Sequence, residues 1–207
     1  MLKKVLLVDD HFVVRTGVSM ILEDNIDDLK VYTVRNYVEA IHFLKENDVN
    51  LIILDIDIPG GKKAKMVQEI RSIQQEVKIL MFSAFEEEVY ACRYIMAGAN
   101  GYLNKQSEEH EIIQVVNSIL NTGSYYTDNI VNKIVKASID KKSINPLENL
   151  SKRELEVYMY LIKGEGNIEI ANRLGLRVST VSTYKKRIFE KLEVSNFTEL
   201  ISFSKVY

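Results

Sequence analysis

The sequence predicts a doubly wound α/β domain with a five-stranded parallel sheet, followed by a small all-α domain. Short apolar runs alternate with helical patterns in the first 125 residues, and the pattern is wholly helical from Ser151. Such alternation is typical of a parallel sheet covered by helices on both faces. Charge divides the chain similarly: residues 1–125 hold 13 Lys and Arg against 19 Asp and Glu, and residues 126–207 hold 14 against 10. This asymmetry predicts two functions, with any polyanionic partner on the C-terminal side.

The first part reads as five strand–helix units. Strands are predicted at Lys4–Asp9, Lys30–Val34, Leu51–Asp55, Lys78–Ser83 and Gly101–Leu103. Apolar residues at three- and four-residue spacing predict helices at Phe12–Leu22, Tyr37–Leu44 and Glu86–Met96. Ligands of such sheets bind beyond the carboxyl ends of the strands.

The second part reads as four short helices. A short helix at Asn129–Ile139 and a linker at Lys141–Glu148 precede them. Their predicted ranges are Lys152–Lys163, Ile168–Leu174, Ser179–Leu192 and Phe197–Lys205. Ser151, followed three residues later by Glu154, predicts a capping box. Periodicity predicts a core of Leu155, Tyr158, Leu161, Val181, Ile188 and Leu192.

The composition, 46% hydrophobic and 27% charged over 207 residues, is that of an ordinary globular protein. No apolar run approaches the roughly 20 residues of a membrane span, and the N-terminus reaches acidic residues after only four apolar ones, so we expect a cytoplasmic protein without a membrane partner. The single cysteine, Cys92, excludes an internal disulfide framework. The histidines His11, His42 and His110 show no spacing typical of metal ligands.

Polar side chains occupy four successive strand ends of the predicted sheet. Strand one ends in Asp9 and Asp10, and strand three ends in Asp55. Strand four ends in Ser83, and Lys105 follows strand five. Converging carboxylates require a hard cation such as Mg²⁺, and the lysine and hydroxyl complete a site for a phosphoryl group.

Each member of this set also has a simpler interpretation. Asp9 and Asp10 are suited to capping a helix that begins near His11. Ser83 fits a strand-end turn, and Lys105 fits an ordinary solvated charge. The combination is more specific than its parts, because residue type, order and strand-end placement must all agree.

Four motifs closely resemble the receiver domain of bacterial response regulators, over residues 1–123. They are V-D-D-H at 8–11, L-D-I-D-I-P-G at 54–60, F-S-A at 82–84 and G-A-N-G-Y-L-N-K at 98–105. The resemblance implies a flavodoxin-like sheet of strand order 2-1-3-4-5. It also implies that a sensor histidine kinase transfers a phosphoryl group to Asp55.

The same resemblance assigns the other residues of the site. Asp10, Asp55 and the Asp57 backbone carbonyl would hold Mg²⁺ (or Mn²⁺), with Asp9 beside them in the second shell or bound through water. Ser83 and Lys105 would contact the phosphoryl group. Tyr102 matches the aromatic residue that changes rotamer as the serine moves.

The C-terminal region, residues 148–207, strongly resembles the helix-turn-helix DNA-binding domain of NarL/LuxR-type regulators, joined to the receiver by a linker at 124–147. Its second helix is basic, as expected for a helix that enters a major groove, although a basic face is also compatible with simple solvation. By the match, the residues facing base edges are Ser182, Thr183 and Lys186. Those near phosphates or adding basic charge are Thr180, Tyr184, Lys185, Arg187 and Lys191. The last helix would pair two such domains on inverted half-sites through Phe197, Leu200 and Ile201.

The sequence therefore predicts a response regulator, not an enzyme, whose phosphorylation at Asp55 controls homodimerisation, binding of double-stranded DNA and transcription. One alternative is an aspartate-nucleophile phosphatase, since Asp55 and Asp57 also resemble the opening motif of that class. A second is a phosphorylation-independent transcription factor that uses its receiver only for dimerisation.

Overall fold

The computed structural model describes residues 2–139, 146–192 and 194–206. The chain forms two compact units, residues 1–133 and 134–207. Most of the predicted linker at 141–148 lies outside the described residues. Within them, no helix is both long and apolar enough to cross a membrane.

The first unit contains a parallel sheet, as predicted. In the described residues its five strands are β1 (Lys3–Val8), β2 (Leu29–Val34), β3 (Leu51–Leu54), β4 (Lys78–Ser83) and β5 (Gly101–Asn104). Their order is β2-β1-β3-β4-β5, and every pairing is parallel. The predicted order 2-1-3-4-5 is confirmed, and it places β1 and β3 side by side.

Helices connect the strands and cover both faces of the sheet. They are α1 (Phe12–Asn25), α2 (Tyr37–Glu46), α3 (Lys65–Ile73), α4 (Glu87–Met96) and α5 (Glu109–Thr122). Alternate strand residues pack with α1 and α5 into one apolar cluster that includes Leu7, Ile53 and Val116. The intervening strand residues, such as Leu6 and Ile52, are equally buried on the other face. Since both faces are covered, the strands read as continuous apolar runs.

A sixth helix, α6 (Asp128–Ile139), follows the sheet. The chain reaches it through Tyr125, whose backbone N–H donates to the Asn100 carbonyl oxygen at 2.8 Å. A side chain at Gly101 would place its Cβ 2.9 Å from Ile119 and 3.1 Å from the Tyr125 carbonyl oxygen, so this close approach requires glycine.

The second unit is helical. Within the described residues it contains a 3₁₀ turn at Pro146–Asn149 and the helices α7 (Lys152–Leu161), α8 (Asn167–Leu174), α9 (Val178–Leu192) and α10 (Phe197–Val206). The predicted capping box is confirmed: Glu154 accepts from the Ser151 N–H at 2.7 Å, and its own N–H donates to the Ser151 hydroxyl at 3.3 Å.

The helical core confirms five of the six predicted positions and corrects one. Tyr158, Leu161, Val181, Ile188 and Leu192 are buried. Leu155 was predicted in the core and is 38% exposed, whereas its neighbour Glu154 is 2% exposed. The inner face of α7 runs through Glu154, Val157, Tyr158 and Leu161 at helical spacing, which turns Leu155 outward.

Candidate functional site

The carboxyl ends of the central strands bring together the acidic and basic residues of the first unit. Asp9 and Asp10 follow β1, Asp55 follows β3, and Lys105 follows β5. Asp9 and Asp55 are buried, with side chains 1% and 5% exposed. Burying two carboxylates in an apolar sheet costs free energy unless their charges are compensated.

Lys105 supplies that compensation in the structure. Its Nζ lies 2.6 Å from Asp9 Oδ2 and 2.8 Å from Asp55 Oδ2, and its side chain is only 13% exposed. The backbone positions it, since the Lys105 N–H donates to the Ser83 carbonyl oxygen at 2.8 Å. One ammonium therefore bridges carboxylates that lie 46 residues apart in the chain.

Burial and ion pairing act in opposite directions on the pKa values of Asp55 and Lys105. Burial raises the pKa of the Asp55 carboxyl, and the hydrogen bond and charge of Lys105 only partly offset it. Burial lowers the pKa of Lys105, but its hydrogen bonds to Asp55 and Asp9 outweigh it and leave that pKa above the ordinary value. The result is a charged lysine beside a carboxyl group whose pKa stays above its ordinary value.

The acidic residues form a group whose donor atoms suit a divalent cation. Ligand atoms of Asp9, Asp10, His11 and Asp55 lie within 4.8 Å of one another. Asp10 is 38% exposed and so is open to an ion from solvent. The Asp57 N–H approaches Asp55 Oδ1 at 3.4 Å, which places the Asp57 backbone beside the same carboxylate. Carboxylate oxygens are preferred Mg²⁺ ligands, so the donor set fits such an ion.

His11 is the member of this group that the sequence patterns missed. Its Nδ1 lies 2.8 Å from Asp10 Oδ1 and 3.1 Å from Asp9 Oδ1. The three histidines are far apart in the sequence, so their spacing from one another gives no sign of a ligand. Adjacency to Asp9 and Asp10 was the signal available in the sequence.

Ser83 and Tyr102 meet at the loop that follows β4. Ser83 is 1% exposed and Tyr102 is 2% exposed. The Tyr102 hydroxyl donates to the Phe85 carbonyl oxygen at 2.9 Å, and the Phe85 N–H donates to Ser83 Oγ at 3.4 Å. The Phe85 ring also stacks on Tyr90 of α4, with centroids 4.6 Å apart. Phe85 thus joins the serine, the tyrosine and helix α4.

Helix α4 in turn contacts the beginning of α6. Thr127 Oγ1 donates to Glu87 Oε1 at 3.3 Å, and Asn129 Nδ2 donates to Glu88 Oε1 at 3.0 Å. Lys133 Nζ donates to the Glu88 carbonyl oxygen at 2.9 Å. Ile130, between these contacts, is buried. The first turns of α6 therefore lie fixed on the helix that follows the Ser83 loop.

In the second unit, α8 and α9 form a helix-turn-helix. Gly175, in the left-handed region at φ +65°, ends α8. Val181 and Ile188 face the core, and the opposite face of α9 is exposed. The exposed predicted residues are Ser182, Thr183, Lys186, Arg187 and Lys191. Asn167 of α8, which sequence reasoning missed, donates from Nδ2 to Ser182 Oγ at 3.1 Å.

Four residues predicted to contact DNA are half-buried or have side-chain contacts within their own domain. Thr180 and Tyr184 are half-buried, and Tyr184 packs against the helical core. Lys185 Nζ lies over the Phe189 ring, 5.6 Å from its centroid. Lys191 Nζ pairs with buried Glu154 Oε2 at 2.7 Å and donates to the Asn149 carbonyl oxygen at 3.1 Å. The Lys191 ammonium is therefore paired with a buried carboxylate of its own domain, and we do not place it among the proposed phosphate contacts.

The predicted dimerisation residues of α10 differ in how far they are exposed. Phe197 is 40% exposed, and Ile201 is half-buried. Leu200 is fully buried in the core of its own helical domain. Its assignment to a dimer interface is therefore corrected, because a side chain that fills its own core has no surface left for a partner.

Comparison with known protein families matches both units. Residues 5–117 match the family described as "Response regulator receiver domain", and residues 148–204 match "Bacterial regulatory proteins, luxR family". Together the two matches span most of the chain and correspond to the two resemblances identified in the sequence.

Curated relatives cover nearly the whole chain. The Fimbriae Z protein of Escherichia coli K12 is 34% identical over 205 residues, which cover 98% of this chain and 96% of that protein. The response regulator UvrY of the same organism is 32% identical over 198 residues, which cover 95% and 90% respectively. A solved structure of RcsB from Salmonella enterica serovar Typhimurium, bound to promoter P1flhDC with the phosphomimetic BeF₃⁻, matches with a TM-score of 0.76 and 23% identity, covering 98% of this chain and 97% of that one. At 23% identity, the similarity to this structure shows a shared fold.

Proposed function

Since this chain belongs to the response regulators that join a receiver domain to a LuxR-type regulatory domain, we propose that a sensor histidine kinase phosphorylates Asp55 and thereby controls its binding to operator DNA. We assign the receiver to residues 1–123, the linker to 124–147 and the DNA-binding domain to 148–207. The observation that carries the proposal is the buried Asp55 carboxylate held 2.8 Å from the Lys105 ammonium.

The chemistry proposed for Asp55 is a phosphoryl transfer. An Asp55 oxygen attacks the phosphorus of a phosphohistidine, an O–P bond forms, and the P–N bond breaks with its electron pair leaving on the imidazole nitrogen. Lys105 takes up charge on the phosphoryl oxygens, and the Ser83 hydroxyl donates a hydrogen bond to one of them. The protein is a phosphoryl acceptor and transcription regulator, and loss of the group by self-dephosphorylation is its only proposed turnover.

A divalent cation, Mg²⁺ or Mn²⁺, would complete the receiver site. Asp10, Asp55 and the Asp57 backbone carbonyl would hold it, with Asp9 acting through water or from the second shell. When bound, the cation neutralises charge on the phosphoryl oxygens. The protein's own residues position it through the fixed ends of β1 and β3.

The contacts around Phe85 provide a route from the phosphoryl group to the linker. Ser83, drawn toward the phosphoryl oxygens, would shift the loop whose carbonyl holds Tyr102 and whose ring stacks on α4. Glu88 of α4 holds Asn129 and Lys133 of α6. The boundary between the two compact units falls within α6, so a shift of α4 acts on the helix that connects them.

The exposed face of α9 would bind the major groove. We assign Ser182, Thr183 and Lys186 to base edges and Arg187, Thr180 and Tyr184 to phosphates. Thr180 and Tyr184 are half-buried, so each would present only part of its side chain to a phosphate. Phosphorylated homodimers would bind inverted half-sites, and Phe197 and Ile201 remain available for pairing.

The decisive experiment measures phosphorylation of the purified full-length protein by acetyl phosphate and Mg²⁺. Asp55→Ala should abolish labelling with the circular dichroism spectrum unchanged, and undiminished labelling would refute the assignment. Asp57→Ala is the matched control, since only the Asp57 backbone is assigned to the site and its side chain is exposed. In the phosphatase alternative Asp57 is the general acid, so steady phosphate release that this substitution abolishes would favour an enzyme. DNA binding that is identical with and without phosphorylation would favour a receiver used only for dimerisation.

A further inference from the structure

We propose that His11 is a nitrogen ligand of the divalent cation at the acidic cluster and selects transition-metal ions over Mg²⁺. The inference rests on the cation site of the proposed function and adds a specificity residue to it. The donor atoms of the proposed site are an imidazole nitrogen and carboxylate oxygens, a mixed set that divalent first-row transition metals accept.

The first support is where the ring lies. His11 Nδ1 is 2.8 Å from Asp10 Oδ1 and 3.1 Å from Asp9 Oδ1, and it shares the 4.8 Å cluster with Asp55. The His11 N–H also donates to Asp9 Oδ1 at 2.8 Å, which fixes the residue beside that carboxylate. The side chain is 65% exposed, so an incoming ion meets the ring and the partly exposed Asp10 together.

The second support is the match between these separations and an octahedral coordination edge. Ligands about 2.0–2.1 Å from an octahedral ion lie about 2.9–3.0 Å from their neighbours. The 2.8 Å from His11 Nδ1 to Asp10 Oδ1, a direct ligand of the proposed site, is close to that value, so the two atoms can occupy adjacent positions around one ion. Binding through Nδ1 needs only the neutral tautomer with its proton on Nε2.

The third support is that the ring has no capping role. His11 occupies the N-cap position of α1, yet its side chain makes no capping hydrogen bond. The other two histidines lie beside carboxylates on helices: His42 Nδ1 is 3.6 Å from Glu46, and His110 Nδ1 is 3.3 Å from Glu108. Neither belongs to a group of metal-ligating residues among those described. They serve as internal controls for an imidazole beside an acid.

The consequence of a nitrogen ligand is selectivity. Carboxylate and water oxygens suit Mg²⁺, whereas imidazole strengthens binding of metals further along the Irving–Williams series. Removing His11 should therefore weaken Co²⁺ and Mn²⁺ binding while leaving Mg²⁺ binding nearly unchanged. A histidine that only forms ion pairs with Asp9 and Asp10 would change all three affinities in parallel.

The test uses full-length protein and the metals alone. Electron spin echo modulation of bound Mn²⁺ should show a directly coordinated ¹⁴N that is lost in His11→Asn and retained in His42→Asn. Titration should show a Co²⁺ affinity lower by about tenfold or more in His11→Asn, against a change under about threefold for Mg²⁺. The same nitrogen signal in His11→Asn, or Mn²⁺ bound without a coordinated nitrogen in the wild type, would overturn the proposal.

Two further variants keep the result interpretable. His42→Asn/His110→Asn leaves His11 as the sole histidine, and it should retain the ¹⁴N signal even if His11→Asn does not fold; loss of the signal would overturn the proposal. Asp10→Ala tests the acidic site itself. If Mn²⁺ binding persists undiminished without Asp10, the cation site of the proposed function fails too, whereas loss of binding in Asp10→Ala with an unchanged spectrum in His11→Asn contradicts the histidine ligand alone.

Discussion

The Lys191 ammonium lies 2.7 Å from the carboxylate of Glu154, a side chain that is 3% exposed in the helical domain. The pair joins α9 to the beginning of α7, and Glu154 also accepts the Ser151 N–H of the capping box. A buried carboxylate with these partners is an anchor of the fold. Lys186 and Lys191, five residues apart on one helix, therefore differ in their surroundings: the side chain of Lys186 is 80% exposed and that of Lys191 is paired with buried Glu154.

Lys191→Ala should destabilise the helical domain. Removing one partner leaves the Glu154 carboxylate buried and unpaired, at a cost of about 1–3 kcal/mol, since Lys191 itself is 40% exposed. Hydrogen exchange of α7 and α9 in the full-length protein measures this loss. Lys186→Ala is the control. Its Nζ lies 3.9 Å from Glu190 Oε1 and its side chain is 80% exposed, so the substitution should leave protection within about 0.5 kcal/mol. Equal protection in both variants would contradict the structural role of Lys191.

For DNA binding, we expect the exposed residues of α9 to matter more than they do for stability. Lys186→Ala should weaken specific binding by about 1–3 kcal/mol if the lysine contacts a base edge, and should relax preference at that base pair. Arg187→Ala should weaken binding to all sequences and reduce the salt dependence, because it removes a phosphate contact. Titrations of fluorescent operator and scrambled duplexes at several salt concentrations separate the two. Unchanged affinity in both variants would remove α9 from the interface.

Stability of the helical domain should fall at acid pH. Burial acts to raise the pKa of Glu154, but the hydrogen bonds from Lys191 and Ser151 outweigh it and hold that pKa below the ordinary value of 4.5. A carboxyl with a lower pKa in the folded state contributes stability that is present above pH about 4.5 and is lost as the pH falls through the folded value. Exchange protection of α7 measured between pH 6 and pH 3 should therefore decline more steeply in the wild type than in Glu154→Gln. Parallel profiles would show that another group controls the decline.

Loosening α6 from α4 should uncouple the two domains. Asn129→Ala/Lys133→Met removes the side chains that hold Glu88, so phosphorylation should be retained while its effect on operator affinity shrinks. Lys136→Met, one turn later on the same exposed helix surface, is the control and should respond as the wild type does. Labelling by acetyl phosphate and operator affinity are measured on the same preparations. A full response in the double variant would place the coupling elsewhere.

The strands and the acidic site were readable from the sequence because local patterns specify them. β4 has the predicted bounds, Lys78–Ser83, and the other strands differ from prediction only at their ends. A parallel sheet also brings the ends of its strands to one edge whatever the loops do, so strand-end residues converge by topology alone. Asp9, Asp55 and Lys105 could therefore be predicted together without coordinates.

The errors arose where the answer depends on a distant partner. Periodicity marked Leu155 as core, but Glu154 takes the inner position because Lys191, 37 residues later, neutralises it. Leu200 has the same apolar character as Phe197, and only packing decides that one fills its own core and the other remains exposed. His11 was missed because its ligand-like neighbours are carboxylates.

The placing of two buried carboxylates, Asp9 and Asp55, around the Lys105 ammonium has a consequence for the thermal stability of the protein. Unfolding separates Asp9 from Asp55 and relieves the repulsion between their carboxylates. This repulsion therefore lowers the stability of the folded state when no cation is bound. A divalent ion that binds only the folded arrangement would raise the stability of the folded state by mass action. The melting temperature should therefore rise with the concentration of free divalent ions, the same ions that the proposed phosphorylation of Asp55 uses.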